Sequence, residues 1–291
     1  MKHRLKNQDI TIEVNELGAE LTLLQSNKTG VNYLWNADPL YWKRSSPILF
    51  PIVGSLNNQQ YTYEGNTYSM SQHGFARDME FHVIKKSEDS IFFRLEANEE
   101  TRKAYPFEFA LEIGYGLEGS AVKVFWRVIN LDDKTMYFSI GGHPAFMCPL
   151  VHQGDQTDYN IEFAGCETIE CRKINENGLA IEGTETLALN KGILPITEHL
   201  FDEDALVIEG NQTGKVSLLN PDKKPYITVS FDAPLFGVWS PAKKNAPFIC
   251  IEPWYGRCDK DNFEGSLSDR EWGNTLLEGQ TFEKFYSILV E

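Results

Sequence analysis

Four segments of the sequence place ionisable side chains among glycines, prolines and aromatic residues. Imidazole and carboxyl groups can transfer protons near neutral pH, and guanidinium groups bind anionic ligands. Glycine and proline give a loop unusual backbone geometry, which is common where the loop presents functional groups. The segments therefore predict a functional site whose groups suit acid–base chemistry. They are residues 43–51 (KRSSPILFP), 71–78 (SQHGFARD), 141–146 (GGHPAF) and 250–257 (CIEPWYGR).

His143 follows two glycines and precedes a proline, at the end of a run that otherwise has the pattern of a buried strand (FSIGGHPAF). Proline restricts the preceding residue to extended backbone, so the imidazole leaves the strand end at a fixed angle. We expect the two glycines to let a ligand ring approach the backbone, and the proline to fix the direction of the side chain. A structural histidine that caps a carbonyl group is the alternative.

Glu252 is a carboxylate inside an apolar run (FICIEPWYG), and buried carboxylates are rare unless they are paired or functional. A structural salt bridge is the alternative. If it is functional, we expect it to be ionised at rest, beside a positive or donor group. His73 could equally lie in a surface turn, and Arg44 and Arg77 could each be ordinary surface charges.

The other ionisable and thiol groups lack comparable surroundings, so the sequence predicts no metal and no cofactor. The cysteines have no basic neighbours that would favour a nucleophile, and no spacing of His, Cys and Asp matches a zinc site. A glycine-rich phosphate loop is also missing. We interpret the remaining histidines as structural or solvated: His3, His82, His152 and His199.

Alternating hydrophobic residues and closely spaced turns predict strands that would hold these segments in place. Residues 107–115 and 121–130 alternate around a Leu-Glu-Gly-Ser turn and predict a hairpin, and residues 60–70, 91–97 and 215–231 show similar patterns. Helical signals are short, at residues 98–104 and, as a turn or short helix, at 268–277. The sequence predicts an all-β protein of 15 or more antiparallel strands, in one domain over residues 1–291, with two packed sheets.

Composition narrows the class of function. The 291 residues are 42% hydrophobic and 24% charged, with a net charge of −15, which repels nucleic acid and anionic membranes. No apolar window approaches the ~20 residues that span a bilayer, and no apolar signal core follows the basic amino terminus. The five cysteines form no CxxC pair and predict free thiols in a reducing compartment. We therefore predict a cytoplasmic protein whose partner is a small molecule.

Taken in order, the motifs HGFARD, GGHPAF, LFDEDALV and IEPWYGRCD resemble those of the aldose 1-epimerase (galactose mutarotase-like) family, in its LacX-type branch. The resemblance extends from NELGAELTLLQ near the start to LLEGQTFEKFYSILV at the end. It implies an antiparallel β-supersandwich with an open carbohydrate cleft. It also implies interconversion of the α and β anomers of an aldose, without a cofactor.

The resemblance assigns roles to individual residues. Glu252 of the EPW motif corresponds to the general base, and His143 of GGHPAF to the general acid. His73 of HGFAR corresponds to a substrate-binding histidine. Mutarotation requires a proton to leave the C1 hydroxyl while another reaches the ring oxygen, and we expect the two groups on opposite sides of the pyranose.

Three further substrate contacts follow from the same resemblance. Arg44 of RSSPILFP matches a family arginine, and Arg77 resembles the phosphate-binding arginine of hexose-6-phosphate epimerases. The aspartate that binds sugar hydroxyls falls in LFDEDALV, where we choose Asp204 over Asp202. Galactose mutarotases usually carry an Asn-His-Xaa segment in place of QHGFARD, so the ligand is predicted to be either a sugar or a sugar phosphate.

Aromatic rings complete a sugar site, because the C–H faces of a pyranose stack on them. Two other functions stay open on the sequence: a non-catalytic sugar-binding or sugar-sensing β-sandwich, and an isomerase or lyase acting on another carbohydrate. The identity of the hexose and the oligomeric state also stay open. The aromatic candidates are Trp254, Tyr255, Trp239, Phe75 and Phe146.

Overall fold

Antiparallel strands form over most of the chain. The computed structural model describes the backbone of residues 1–291 and every side chain except that of His152, whose assignment therefore lies outside the described side chains. The strands are β1 (Lys2–Lys6), β2 (Ile10–Asn15), β3 (Leu21–Ser26), β4 (Ile48–Leu49), β5 (Gln60–Tyr63), β6 (Asn66–Ser69), β7 (His82–Lys86), β8 (Ser90–Glu96), β9 (Phe109–Glu118), β10 (Ala121–Asn130), β11 (Met136–Phe138), β12 (Ile140–Gly142), β13 (Ala145–Met147), β14 (Asn160–Phe163), β15 (Thr168–Ile174), β16 (Ala180–Ala188), β17 (Ile193–Pro195), β18 (Leu206–Glu209), β19 (Lys215–Leu219), β20 (Pro225–Phe231), β21 (Leu235–Trp239), β22 (Phe248–Tyr255), β23 (Asn274–Leu276) and β24 (Thr281–Val290).

Two large sheets dominate the architecture. One has nine strands in the order β17-β14-β19-β20-β24-β10-β9-β8-β7, and the other has eight, with β16-β15-β18-β21-β22-β12-β4 in line and β13 also paired to β22. Smaller sheets are formed by β1-β2-β3, by β5-β6 and by β11-β23. The strand pairs within these sheets are antiparallel. The all-β supersandwich predicted from the sequence is confirmed.

The hairpin turns and the short helix follow from the residues at their ends. Glu64 and Gly65 both have positive φ between β5 and β6, as the tight turn of a two-residue hairpin requires. The predicted hairpins β9–β10 and β19–β20 are also confirmed. The helix α1 (Glu99–Ala104) begins at Asn98, whose side chain accepts hydrogen bonds from two backbone N–H groups of the first turn. Residues 268–277 differ from prediction, because a 3₁₀ turn at Leu267–Asp269 is followed by β23.

A shared hydrophobic core joins the two large sheets. The rings of Trp126 on β10 and Tyr255 on β22 lie 6.2 Å apart, and so do those of Phe163 on β14 and Phe236 on β21. The same cluster contains buried residues from β1 to β24. This continuity supports the single domain predicted for residues 1–291. None of the described helices is long and apolar enough to cross a membrane.

Candidate functional site

Strand β22 is buried on both faces. One face packs into the core between the two large sheets, and the other carries Glu252. Ile249, Ile251 and Tyr255 join the core between the sheets. Cys250, Glu252 and Trp254 alternate with them and lie on the opposite face of the sheet, since successive side chains of a strand point to opposite sides. This double burial explains why the segment reads as one apolar run. It also places the carboxyl group of Glu252 on the face of the sheet that borders a pocket.

Two of the strands that pair with β22, β12 and β13, bring His143 to Glu252. Gly141 pairs with Trp254 and Ala145 pairs with Cys250, so the connection between β12 and β13 holds His143 opposite Glu252. The imidazole Nε2 lies 3.2 Å from the carboxylate Oε2. The expectation that the two groups flank the sugar from opposite sides is therefore wrong: they lie side by side.

The glycines before His143 also have a different role from the one expected. A Cβ at Gly141 would lie 2.6 Å from the Trp254 ring, and one at Gly142 would lie 2.8 Å from the Tyr286 hydroxyl. Both glycines thus admit protein side chains rather than a ligand. Without them the strand could not pack between the indole and the phenol, and His143 would move.

Burial shifts the pKa values of the two groups in opposite directions. It raises the pKa of Glu252 well above 4.5, and the charge of Asp204 raises it further, although the indole N–H of Trp254 opposes the shift without reaching hydrogen-bonding geometry. Burial and the nearby guanidinium groups lower the pKa of His143 to about 3. Burial thus favours a protonated Glu252 carboxyl beside a neutral imidazole, in contrast to the ionised Glu252 that the sequence predicts.

His73 is held in a defined tautomer beside this pair. Its Nδ1 accepts a hydrogen bond of 3.1 Å from the backbone N–H of Gly54, so the proton of the neutral ring is on Nε2. Burial lowers its pKa well below 6.5, which keeps the ring neutral. The backbone of His73 has φ +68°, a conformation that is costly for a residue with a side chain. His73 is thus fixed as a hydrogen-bond donor at the pocket wall.

The two arginines differ in their surroundings. Arg44 donates to the Asp78 carboxylate at 2.7 Å and to the carbonyl of Arg77, so its charge is already partnered. Arg77 lines the pocket and donates to the carbonyl of Gln72, while its buried Nε makes no hydrogen bond with the described residues and lies 3.9 Å from Asp78 Oδ2. Burial and the charge of Arg44 lower the pKa of Arg77 to about 10. Only Arg77 of the two is placed to contact a ligand.

A half-buried carboxylate that the sequence did not single out, Glu20, supports this part of the pocket wall. Glu20 accepts hydrogen bonds from the backbone N–H groups of Ser45 and Ser46, at 2.7 and 2.9 Å. It thereby fixes the start of the segment that carries Arg44. A second carboxylate in an apolar setting (GAELTLL) was the available signal.

The structure separates the two aspartates that the sequence left as alternatives. Asp204 lines the pocket; although its side chain reaches solvent, the surrounding protein raises its pKa. Asp202 lines a neighbouring depression, where its carboxylate lies 2.9 Å from His199 Nδ1. Asp204 is placed to bind a ligand beside Glu252, whereas Asp202 is already paired.

Aromatic rings form much of the pocket wall. Trp42 packs 4.7 Å from the His143 ring, and Trp239 meets the same ring edge-on at 5.5 Å. Among the predicted aromatics, Trp239 and Trp254 line the pocket. The other three belong to the core or pack against it: Tyr255, Phe75 and Phe146. Trp42 was not predicted, although it lies just before Arg44 in the chain.

These residues enclose one pocket of about 420 Å³, within the ~300–1,000 Å³ typical of small-molecule sites. An acid–base pair lies at its floor, hydrogen-bonding groups line its rim, and indole rings cover its sides. Such an arrangement suits a small polyhydroxylated ring. The polar and aromatic lining residues are Tyr41, Trp42, Gln72, His73, Arg77, His143, Asp204, Trp239, Lys244, Glu252, Trp254 and Arg257.

Comparisons with known proteins agree with this geometry. Residues 1–287 match the family model described as Aldose 1-epimerase. The chain is 34% identical over 299 residues to the chromosomal LacX protein of Lactococcus lactis subsp. lactis, covering 100% of this chain and 99% of that protein.

Solved structures show the same similarity. A galactose mutarotase related enzyme from Lactobacillus acidophilus superposes with a TM-score of 0.95 at 35% identity, covering 100% of this chain and 97% of that one. A galactose mutarotase-like protein from Lactobacillus casei gives 0.92 at 31%, with both chains fully covered. A putative aldose 1-epimerase from Escherichia coli K12 gives 0.74 at 16%, covering 100% and 99%, which shows the fold alone.

Proposed function

The chain belongs to the aldose 1-epimerase family, and we propose that it interconverts the α and β anomers of a hexose or hexose phosphate through Glu252 and His143. The observation that carries this proposal is the contact between these two buried groups, with 3.2 Å between Nε2 and Oε2. A binding site alone needs no acid and base in contact. Perturbed titratable groups in a pocket are typical of catalytic sites.

The reaction needs two coordinated proton transfers. Glu252, as carboxylate, removes the proton of the C1 hydroxyl, while protonated His143 delivers a proton to the ring oxygen. The bond from C1 to the ring oxygen breaks, and C1 becomes an aldehyde. After rotation about C1–C2, the protonated Glu252 returns its proton to the aldehyde oxygen. His143 takes the proton of the C5 hydroxyl as that oxygen attacks the other face of C1.

Adjacent placement of the acid and the base fits this chemistry. Both reacting oxygens are bonded to C1, so one carboxylate and one imidazole that lie side by side can reach them together. Burial favours the uncharged pair, with the proton on Glu252. Moving that proton to His143 across the contact gives the carboxylate and imidazolium that ring opening requires. One mobile proton therefore serves both directions of the reaction.

The rim of the pocket supports recognition of a sugar. Asp204 accepts hydrogen bonds from hydroxyl groups, while His73 Nε2–H and the guanidinium group of Arg77 donate to sugar oxygens. Each such hydrogen bond contributes on the order of 1 kcal/mol to affinity. The indoles of Trp42 and Trp239 offer apolar surfaces to the C–H faces of the ring. Polar and apolar contacts together hold C1 over the acid–base pair.

The cationic side chains on one side of the pocket determine whether it can bind a phosphate group on the sugar. Arg77 and Lys244 line it, and both are cationic N–H donors. They would bind a phosphate, but their N–H groups also suit a hydroxyl oxygen. We propose a cytoplasmic location, which the five free thiols support, since disulfides are rare in reducing compartments.

Polarimetry tests the proposal directly. Freshly dissolved α-glucose and α-galactose should mutarotate faster with the protein than without it, or NMR exchange should show faster anomerisation of their 6-phosphates. His143→Asn should lower the accelerated rate by about 10²- to 10⁴-fold, the usual contribution of a positioned acid. The exposed His199→Asn is the matched control and should keep the full rate.

If no sugar anomerises faster, while calorimetry still detects binding of one of them, the protein is a sugar-binding member of the family. If His143→Asn retains the full rate, the acid is a different group. Either result would refute the mechanism proposed here.

A further inference from the structure

A third donor lies beside the acid–base pair. Cys250 precedes Glu252 by two positions on β22, so their side chains share one face of the strand. Donor atoms of Cys250, His143 and Glu252 all lie within 4.8 Å of one another, and the three residues are buried. The fold thus gathers a thiol, an imidazole and a carboxyl in one buried cluster, of which the imidazole and the carboxyl line the pocket.

Two polar atoms in this cluster lack a hydrogen-bond partner. Glu252 Oε2 and His143 Nδ1 are buried, and neither makes a well-formed hydrogen bond with the described residues. Glu252 and His143 are 1% and 6% exposed. Buried unpartnered polar atoms are few in native proteins and indicate a ligand, a water molecule or an ion. Cys250 cannot satisfy them, since a thiol is only a weak donor.

The donor set matches the preferences of zinc. Zn²⁺ binds thiolate sulfur, imidazole nitrogen and carboxylate oxygen, and often takes three protein ligands with the fourth position open. Here the fourth position would face the pocket, which Glu252 and His143 line. Two anionic ligands and a neutral imidazole would balance the charge of the ion. A neutral assembly costs less to bury than an isolated charge.

We propose that Cys250, His143 and Glu252 form a binding site for a soft divalent cation such as Zn²⁺, and that the bound ion blocks the acid–base pair. The blocking rests on the proposed epimerase function, whereas the binding does not. On coordination Cys250 and Glu252 each release a proton to solvent, and the cation takes the place of the two protons. The sequence predicted no metal site because these ligands are brought together by strand pairing and not by a local spacing.

Cadmium titration tests the site independently of activity. Cd²⁺ binds like Zn²⁺, and its bond to a thiolate gives an ultraviolet charge-transfer band. Stoichiometric Cd²⁺ should produce this band in the wild type, and Cys250→Ala should remove it and weaken cadmium binding by about 100-fold or more. Cys148→Ala is the matched control, since Cys148 is an equally buried thiol outside the cluster, and it should retain the band.

The absence of a band in the wild type, or a band that survives Cys250→Ala, would overturn the proposal. If Cys250→Ala does not fold, Cys250→Ser keeps the size of the side chain and replaces the thiolate by a poor cadmium ligand. For the blocking, Zn²⁺ should inhibit anomerisation by the wild type, and the inhibition constant should rise by about 100-fold in the variant. A protein inactive on all sugars would still bind cadmium, so the two failures are distinguishable.

Discussion

Two buried ionisable side chains, Arg257 and Glu252, lie close together on one segment but differ in their hydrogen-bond partners. Arg257, just after β22, is 2% exposed and donates to the carboxylates of Glu209 and Glu271 and to the carbonyl of Cys258. Glu252, on β22 itself, is equally buried, but its Oε2 makes no well-formed hydrogen bond with the described residues. One group is saturated with partners and the other is not.

This difference distinguishes a buried charge that stabilises the fold from a buried carboxyl group that is available to a ligand. A saturated buried charge fixes its segment, because every partner would be left unpaired if it moved. An unsaturated buried carboxyl destabilises the fold and persists where a ligand uses it. The Arg257 cluster therefore holds the end of β22 in place, so that Glu252 can stay beside His143 without partners of its own.

Removing the saturated charge should have the largest effect on stability. Arg257→Met leaves Glu209 and Glu271 without their buried partner, and the free energy of unfolding should fall by about 3–5 kcal/mol. Urea unfolding measures the change. Arg172→Met is the matched control, since Arg172 pairs with the same Glu209 but is itself 25% exposed, and it should cost about 1 kcal/mol or less. Equal losses of unfolding free energy in the two variants would contradict the special structural role of Arg257.

Asp204 and Asp202 give a second comparison, between a carboxylate at the rim of the pocket and one that is already paired. Asp204→Asn removes a charged acceptor from the pocket and should lower kcat/KM by about 10-fold or more, the value of one hydrogen bond to a charged group. Asp202→Asn changes a carboxylate that pairs with His199 in the neighbouring depression. It should leave kcat/KM unchanged. Steady-state kinetics on the best sugar measures both, and a larger loss in Asp202→Asn would reverse the assignment.

The raised pKa of Glu252 predicts how stability depends on pH. Above pH 4.5 this carboxyl ionises in the unfolded chain but stays protonated in the folded one, so the wild type loses stability as pH rises. Glu252→Gln lacks this loss. The stability of the variant relative to the wild type should grow above pH 4.5, by at most about 1.4 kcal/mol per pH unit. Urea unfolding between pH 4 and 8 measures it, and a constant difference would contradict the shift.

The sequence predicted most of the fold because its signals are local. Strand alternation in residues 107–130 and the helical signal at residues 98–104 depend on neighbouring residues only, and both are confirmed. β23 was not predicted, because its pairing with β11 comes from residues distant in the chain. The same limit applies wherever tertiary contacts select the structure of a short segment.

The site was predicted as residue types but not as geometry. Glu252 and His143 stood out as polar groups in apolar runs, and they are in contact in the fold. Their side-by-side placement follows from the register of β22 with β12 and β13, which sequence patterns do not encode. The protonation of the pair, the packing role of Gly141 and the approach of Cys250 likewise depend on tertiary contacts.

Two properties of Glu252→Gln, measured in one preparation, test most directly whether Glu252 is the base. We expect anomerisation of the best sugar to slow by about 10²- to 10⁴-fold, while the free energy of unfolding at pH 7 equals or exceeds that of the wild type. A variant that keeps its activity would show that Glu252 is not the base. One that loses activity together with several kcal/mol of stability would show that Glu252, like Arg257, is a structural charge.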